Sequence, residues 1–193
     1  KKKVKYYKDG IYGSCADTFK EYLKFFRQKS KAGDSLLIIN SYNNLMESSP
    51  SKLYVNNLEV NAIDARKIYF KELKDLSEDL NLKKKSLYIT SPIPAIRNNP
   101  LLCNSFITKT NKNCSKQNGI FNKTFNSEIS SISSEMKNLE SEGIIYLDIN
   151  NKLKDIIMND MNNIYYYYSD KEHLSRKGAL SLKAYFKTKI LDK

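Results

Sequence analysis

Gly33-Asp-Ser-Leu-Leu-Ile-Ile-Asn40 carries an unbroken apolar run, Leu36 to Ile39, straight after a polar break at Ala32-Gly-Asp34. A strand with one wet face alternates apolar and polar residues. A continuous run suits a parallel strand covered on both faces. The residues before it, from about Cys15 to Lys29, place Phe19, Tyr22, Leu23 and Phe26 at helical spacing, with Ser14 as an N-cap and Asp17 three residues on. Helix then buried strand is the unit from which the rest of the chain is built.

Working outward, a polar loop-like stretch from Ser41 to about Leu58 leads to a helix over roughly 60–80, in which Ala62, Ala65, Tyr69, Leu73, Leu76 and Leu80 step by three or four. Ser86-Leu-Tyr-Ile-Thr90 reads as the second strand, stopped by Ser91-Pro-Ile-Pro94, and 95 to about 120 reads as an excursion loop. A helix over about 122–141 sets Phe125, Ile129, Ile132, Met136 and Leu139 in step and ends at Gly143. Ile144-Ile-Tyr-Leu-Asp148 is the third strand. A weak helix near Leu153 to Met161 leads to Tyr165-Tyr-Tyr-Tyr168, read as a half-buried extended segment. The last helix starts at Ser175 and buries Ala179, Leu182, Phe186 and Ile190. Such alternation predicts an α/β fold, a three-layer α/β/α sandwich around a mainly parallel sheet, in a single domain over 1–193. In open sheets of this kind ligands bind outside the carboxyl ends of the strands, where Asn40, Ser91 and Asp148 stand.

The net charge is +12. Arginine is scarce, only Arg27, Arg66, Arg97 and Arg176, while Lys, Asn, Ile and Tyr abound. Bidentate phosphate and base readout favours Arg, so the balance reads as a solvated lysine surface and no nucleic acid is expected. Lys83-Lys-Lys85 reads as a turn. No stretch approaches 18 apolar residues, so no spanning helix is expected. The three cysteines, Cys15, Cys103 and Cys114, lack metal-ligand spacing. Cys103 and Cys114 flank one polar segment, which leaves open a short disulfide-closed loop or two unrelated thiols.

His173 is the only histidine. It stands in Tyr168-Ser-Asp-Lys-Glu-His-Leu-Ser-Arg-Lys-Gly-Ala179, three residues after Asp170 on a loop entering a helix. This spacing suits an acid that orients one imidazole nitrogen while the other takes a proton. It equally suits a capping cluster at a helix N-terminus, and the local pattern leaves both open.

The block Asp170-x-x-His173-Leu-Ser-x-x-Gly178-Ala179 resembles the last block of SGNH hydrolases, most closely the branch fused behind membrane acyltransferase (acyltransferase-3) domains that O-acetylate bacterial surface polysaccharides and lipopolysaccharides. Three further stretches are similar to that branch. Gly33 to Asn40 resembles its "Gly-Asp, apolar strand, Asn" block; Ser91-Pro-Ile-Pro94 with Pro100 and Cys103 resembles its Pro-x-Pro stretch and following Cys; Tyr146-Leu-Asp148 resembles its strand before the final loop. The resemblance runs from about residue 15 to the end. It implies His173 as general base, Asp170 as its orienting acid and Asn40 as an oxyanion donor, with Asn43 as the next choice. It implies no metal or organic cofactor, an acyl donor and a carbohydrate acceptor as partners, an upstream membrane acyltransferase domain in the same polypeptide, and an extracytoplasmic place on the periplasmic face, membrane-linked. It also favours the Cys103–Cys114 disulfide.

The chain departs from the family at the nucleophile, a Ser in a Gly-Asp-Ser block after the first strand. Gly33-Asp34-Ser35-Leu36 matches by letter, yet it follows a helix and opens a strand. A nucleophile elbow does the reverse, following a strand and opening a helix. Ser14 precedes a helix but lies only about 20 residues before the strand that ends at Asn40, where the family needs another strand and helix. The expectation is therefore an N-terminally incomplete domain, its first strand and serine upstream of Lys1, catalytically silent and poorly folding alone. A cysteine pair that the family often carries near Leu153 and the tyrosine run is also absent. Two other readings stand beside this one: a free-standing secreted or periplasmic esterase, and a non-enzymatic basic module for anionic glycan or nucleic acid.

Overall fold

The computed structural model describes residues 4–8, 11–12, 15–39, 45–48, 52–55, 58–103 and 121–191. The expected sites Asn40, Asn43, Cys114 and Ser14 lie outside them. The chain forms two compact units, Lys1–Ile89 with Glu135–Tyr146, and Thr90–Ser134 with Leu147–Lys193.

The first unit opens with β1 (Val4–Lys8) and β2 (Ile11–Tyr12), followed by α1 (Cys15–Lys29) and β3 (Ser35–Ile38). Next come β4 (Lys52–Val55), β5 (Leu58–Val60) and α2 (Ala62–Leu82). The strand β6 (Ser86–Thr90) leads out of this unit, and β7 (Ile144–Leu147) crosses the same boundary later. The strands β3, β6 and β7 pair in that order. β3 and β6 are parallel, from Ser35 opposite Ser86 to Ile38 opposite Ile89. The amide of Ser91, just past β6, donates to the carbonyl of Leu147 at the end of β7 (2.9 Å), so these two strands also share a direction. The fold is thus α/β with a parallel sheet flanked by helices. Leu87 and Ile89 are fully buried and Tyr88 nearly so, as an apolar run covered on both faces requires, whereas β3, expected to be buried likewise, buries only Ile38, and Ile39 just past it is exposed.

An antiparallel sheet of order β2-β1-β4-β5 accompanies it. The stretch 41–58, expected as loop, therefore holds β4 and the start of β5. The helix expected from 60 begins at Ala62, because Asn61 caps it by accepting the amide of Asp64 at 2.8 Å. Phe70, Leu73, Leu76 and Leu80 form its buried stripe. The guanidinium of Arg66, buried on the same helix, meets Glu47 at 3.3 Å and Glu135 at 3.4 Å.

Gly33-Asp34-Ser35 is a turn into a strand. Gly33 sits at φ +92° and its amide donates to the carbonyl of Lys84 (2.8 Å), while the Asp34 carboxylate accepts the amide of Lys31 (2.6 Å). Ser35 lies at the amino end of β3. Local turn chemistry accounts for the glycine and the aspartate, and the serine is at the wrong end of the sheet for a nucleophile. Lys84, at φ +56°, takes the left-handed conformation without glycine's freedom. Nothing lies within 4 Å of a Cβ built on Gly33, so Gly33→Ala meets backbone strain alone and is expected to cost about 1–2 kcal/mol. Lys84→Gly is expected to gain up to about 1 kcal/mol. Thermal melts of the two variants should shift in opposite directions.

The second unit holds α3 (Pro100–Cys103), within the expected excursion loop, and most of α4 (Lys123–Lys137). In α4 Ile129, Ile132 and Met136 are fully buried, and a 3-10 turn, Asn138–Glu142, ends at Gly143 with φ 75°. After β7, α5 (Ile149–Asn159) is capped by Asp148, whose carboxylate accepts the amide of Asn151 at 3.0 Å. The tyrosine run is not extended: Met161–Tyr167 is a 3-10 helix, and only Tyr168 is extended. Its three-residue turn puts Ile164 and Tyr167 inside and leaves Tyr166 outside. The chain ends in α6 (Arg176–Ser181), α7 (Lys183–Phe186) and a π-turn, Lys187–Leu191. Leu182 is buried there as expected, but Ala179 is exposed and Gly178 takes the buried place. Ile96, Ile149, Leu153, Ile157, Ile164, Tyr167, Tyr168 and Leu182 make one apolar core.

Candidate active site

Asp170 and His173 sit on a short loop pinched at its base. Tyr168 and Leu174 form an antiparallel bridge, the amide of Ser169 donates to the carbonyl of His173 (2.9 Å), and the amide of Ser175 donates to that of Tyr167 (3.0 Å). The loop is also held from outside itself. The amide of Ile96 donates to the carbonyl of Lys171 (2.9 Å), and the buried hydroxyl of Tyr168 donates to the carbonyl of Pro94. Pro94 and Ile96 belong to the segment leaving the carboxyl end of β6. The same segment is anchored where Ser91 Oγ accepts the amide of Asn150 (2.7 Å) and the Asn150 side chain donates to the carbonyl of Pro92 (3.3 Å). Within the second unit the Asp170–His173 loop is thus tied to the Ser91–Ile96 segment.

Within the loop, Asp170 Oδ1 accepts two amides, from Glu172 and His173, each at 2.8 Å. Its Oδ2 lies 2.7 Å from His173 Nδ1. Burial pushes the Asp170 carboxyl up, but the two amides and the ring together hold it below the usual carboxylate range. A carboxylate only accepts, so Nδ1 must carry the ring proton. In the neutral imidazole Nε2 then keeps its lone pair, which is the arrangement of a general base. Capping contacts stand beside this pair. Ser175 caps α6, its Oγ accepting the amide of Gly178 at 3.2 Å and donating to the carbonyl of Tyr166. Asp170 does both: Oδ1 caps the amides of Glu172 and His173, and Oδ2 meets the ring.

The imidazole is 66 % exposed. Among the described residues no serine hydroxyl bonds to its side chain, and Ser91 is fully buried and bound to Asn150. Asp148 serves as a helix cap. Cys103 is disulfide-bonded, and its expected partner Cys114 lies outside the described residues.

Tyr168 is the residue that sequence reasoning missed. Burial holds its phenol protonated far above the ordinary range, so the hydroxyl is a permanent donor to Pro94. Its signal was position: a tyrosine two residues before the acid, hidden in a run of four. Tyr168→Phe leaves the Pro94 carbonyl unpaired and is expected to cost about 1–2 kcal/mol. It should also lower the fraction of neutral His173 rings protonated at Nδ1. Nitrogen-15 NMR reads that fraction directly, since the chain has one histidine.

The chain thus combines an α/β fold with a parallel sheet and an Asp–His pair whose ring nitrogen Nε2 makes no hydrogen bond among the described residues. The family model described as SGNH domain (fused to AT3 domains) matches residues 3–188, and the chain belongs to that family. It is an SGNH module of the acyltransferase or esterase type. Neither the curated proteins nor the solved structures gave a match.

Proposed function

We propose that this domain transfers acyl groups through a serine ester, as the extracytoplasmic part of a bacterial O-acetyltransferase acting on surface polysaccharide or lipopolysaccharide. The observation that supports it is the Asp170 Oδ2–His173 Nδ1 contact of 2.7 Å, with Asp170 Oδ1 fixed by two amides. In this reading His173 Nε2 takes the proton of a serine hydroxyl as the serine attacks the acyl carbonyl, and returns it to the leaving group. It then deprotonates the sugar hydroxyl, or water if the reaction is hydrolysis, as that oxygen attacks the serine ester, and hands the proton to the departing serine oxygen when the acyl–Oγ bond breaks. The serine comes from residues outside those described, and Asn40 is the proposed oxyanion donor. The acyl donor is supplied by an acyltransferase-3 domain of the same polypeptide, in keeping with the family's description, and the module works at the periplasmic face, linked to the membrane through that domain. The test is His173→Ala in the full-length gene, with surface O-acetylation as the readout. Unchanged O-acetylation overturns the reading.

A further inference from the structure

We propose that the outward face of the C-terminal helices is a docking surface for anionic phospholipid headgroups. Residues 174–191 contain five cations, Arg176, Lys177, Lys183, Lys187 and Lys189, and no Asp or Glu. All five are exposed. Lys177 pairs with Asp160 at 3.3 Å. Among the described residues the other four make no ion pair and no side-chain hydrogen bond. The lysines of α2 and of its C-cap behave differently: Lys67 meets Asp64, Lys71 meets Asp75, Lys74 meets Glu142 and Lys83 meets Asp79. The lysine-rich composition is therefore neutralised locally on one helix and left bare on another.

The bare cations lie on an amphipathic element. Gly178 and Leu182 are buried, and Tyr185 and Phe186 pack against the apolar core of the second unit. Arg176, Leu180, Lys183, Lys187 and Leu191 recur every three or four residues on the exposed side, with Leu180 56 % and Leu191 74 % exposed. Cations alone fit any polyanion. The two leucines in the same stripe select a lipid surface, because an apolar side chain gains free energy at the headgroup–acyl boundary and none against a hydrated glycan. Tyr166, 54 % exposed with Lys177 Nζ 5.7 Å from its ring centre, adds an amphipathic ring beside the stripe. Each cation near an anionic leaflet changes partition roughly five-fold. The four bare ones together supply about a 10³-fold preference, which is reversible adsorption rather than anchoring.

The experiment is co-sedimentation of the protein with vesicles of phosphatidylcholine alone or mixed with phosphatidylglycerol. Lys183→Glu with Lys187→Glu is compared with Lys67→Glu and Lys71→Glu, which changes net charge equally. The first pair is expected to weaken binding to the mixed vesicles at least about 30-fold and the second less than about 3-fold. Leu180→Gln with Leu191→Gln is expected to weaken vesicle binding about 10-fold while leaving retention on dextran sulfate unchanged. Thermal melts confirm that each variant folds. Equal losses for the two charge pairs, or equal binding to vesicles without phosphatidylglycerol, overturn the proposal. So does an unaffected leucine variant, which would make the face a site for an anionic polymer instead. The readout is partition, so it stands or falls separately from acyl transfer.

Discussion

Asp170→Asn in the full-length enzyme is expected to lower acyl transfer by about 10³–10⁴-fold while barely changing stability, and the double variant with His173→Ala to be no worse than His173→Ala alone. The reason lies in how Asp170 is held. Its Oδ1 accepts the amides of Glu172 and His173, and an asparagine oxygen takes that place, giving up only the charge assistance. Its amide NH₂ then faces His173 Nδ1, where Oδ2 had been. Two donors cannot share that contact, so the ring proton moves to Nε2 and the lone pair proposed to act as base is gone. Asp170→Ala differs in kind, since it removes both amide acceptors and loosens the loop. Because the imidazole is 66 % exposed and the carboxylate 50 %, solvent partly restores orientation, and the loss belongs nearer 10³ than 10⁴. Residues that act as one unit lose activity non-additively. Additive losses, measured as rates of surface O-acetylation or of p-nitrophenyl acetate cleavage, would show that the two do not act together. The pH dependence has a definite sign. A carboxyl held below its usual range keeps its charge, and the ring's orientation, at neutral pH. It loses both only as pH falls through that lowered value.

The parallel strands were legible because each is a continuous apolar run between turn residues, and a run of that kind has few other fates. Leu36 to Ile38, Leu87 to Ile89 and Ile144 to Leu147 all paired as expected. The antiparallel strands were not legible. β2 and β5 are two and three residues long, too short for a period to register, and β4 sits in a polar surround. The tyrosine run misled for a different reason. Tyrosine suits a pleated surface and a tight helical turn alike, and the choice was made by packing of Ile164 and Tyr167 into the second unit's core. At the candidate site the Asp–His pair was visible from spacing. What holds it was not: Ile96 to Lys171 and Tyr168 to Pro94 are contacts across more than 70 residues. The Gly33-Asp34-Ser35 letters show the opposite case, where a motif match dissolves once the turn geometry is known. Chain direction alone was enough to reject it, because an elbow and a strand entry place the serine at opposite ends of a sheet.

Gly178→Ala is expected to destabilise the protein by about 3 kcal/mol, lowering the melting temperature by roughly 6–12 °C for a domain of this size. By propensity alone the change should help, since alanine is favoured over glycine inside a helix by about 1 kcal/mol. Space decides against it. A Cβ on Gly178 falls 2.1 Å from the carbonyl oxygen of Tyr167 and 3.2 Å from Leu174 Cδ2. The obstacle is backbone, which cannot swing aside as a flexible side chain does. That carbonyl also accepts the amide of Ser175, so pushing α6 away breaks the contact that seats the helix. The strain then reaches the Tyr168–Leu174 bridge that closes the Asp170–His173 loop. The neighbouring Ala179 is exposed, and Ala179→Gly should cost only its propensity, about 1 kcal/mol, with no change at the ring. Melts of the two variants, together with the Nδ1-protonated fraction of His173, separate a helix defect from a site defect. If Gly178→Ala proves as stable as the parent, the close approach of α6 to Tyr167 is wrong, and with it the account of how this glycine serves the histidine loop.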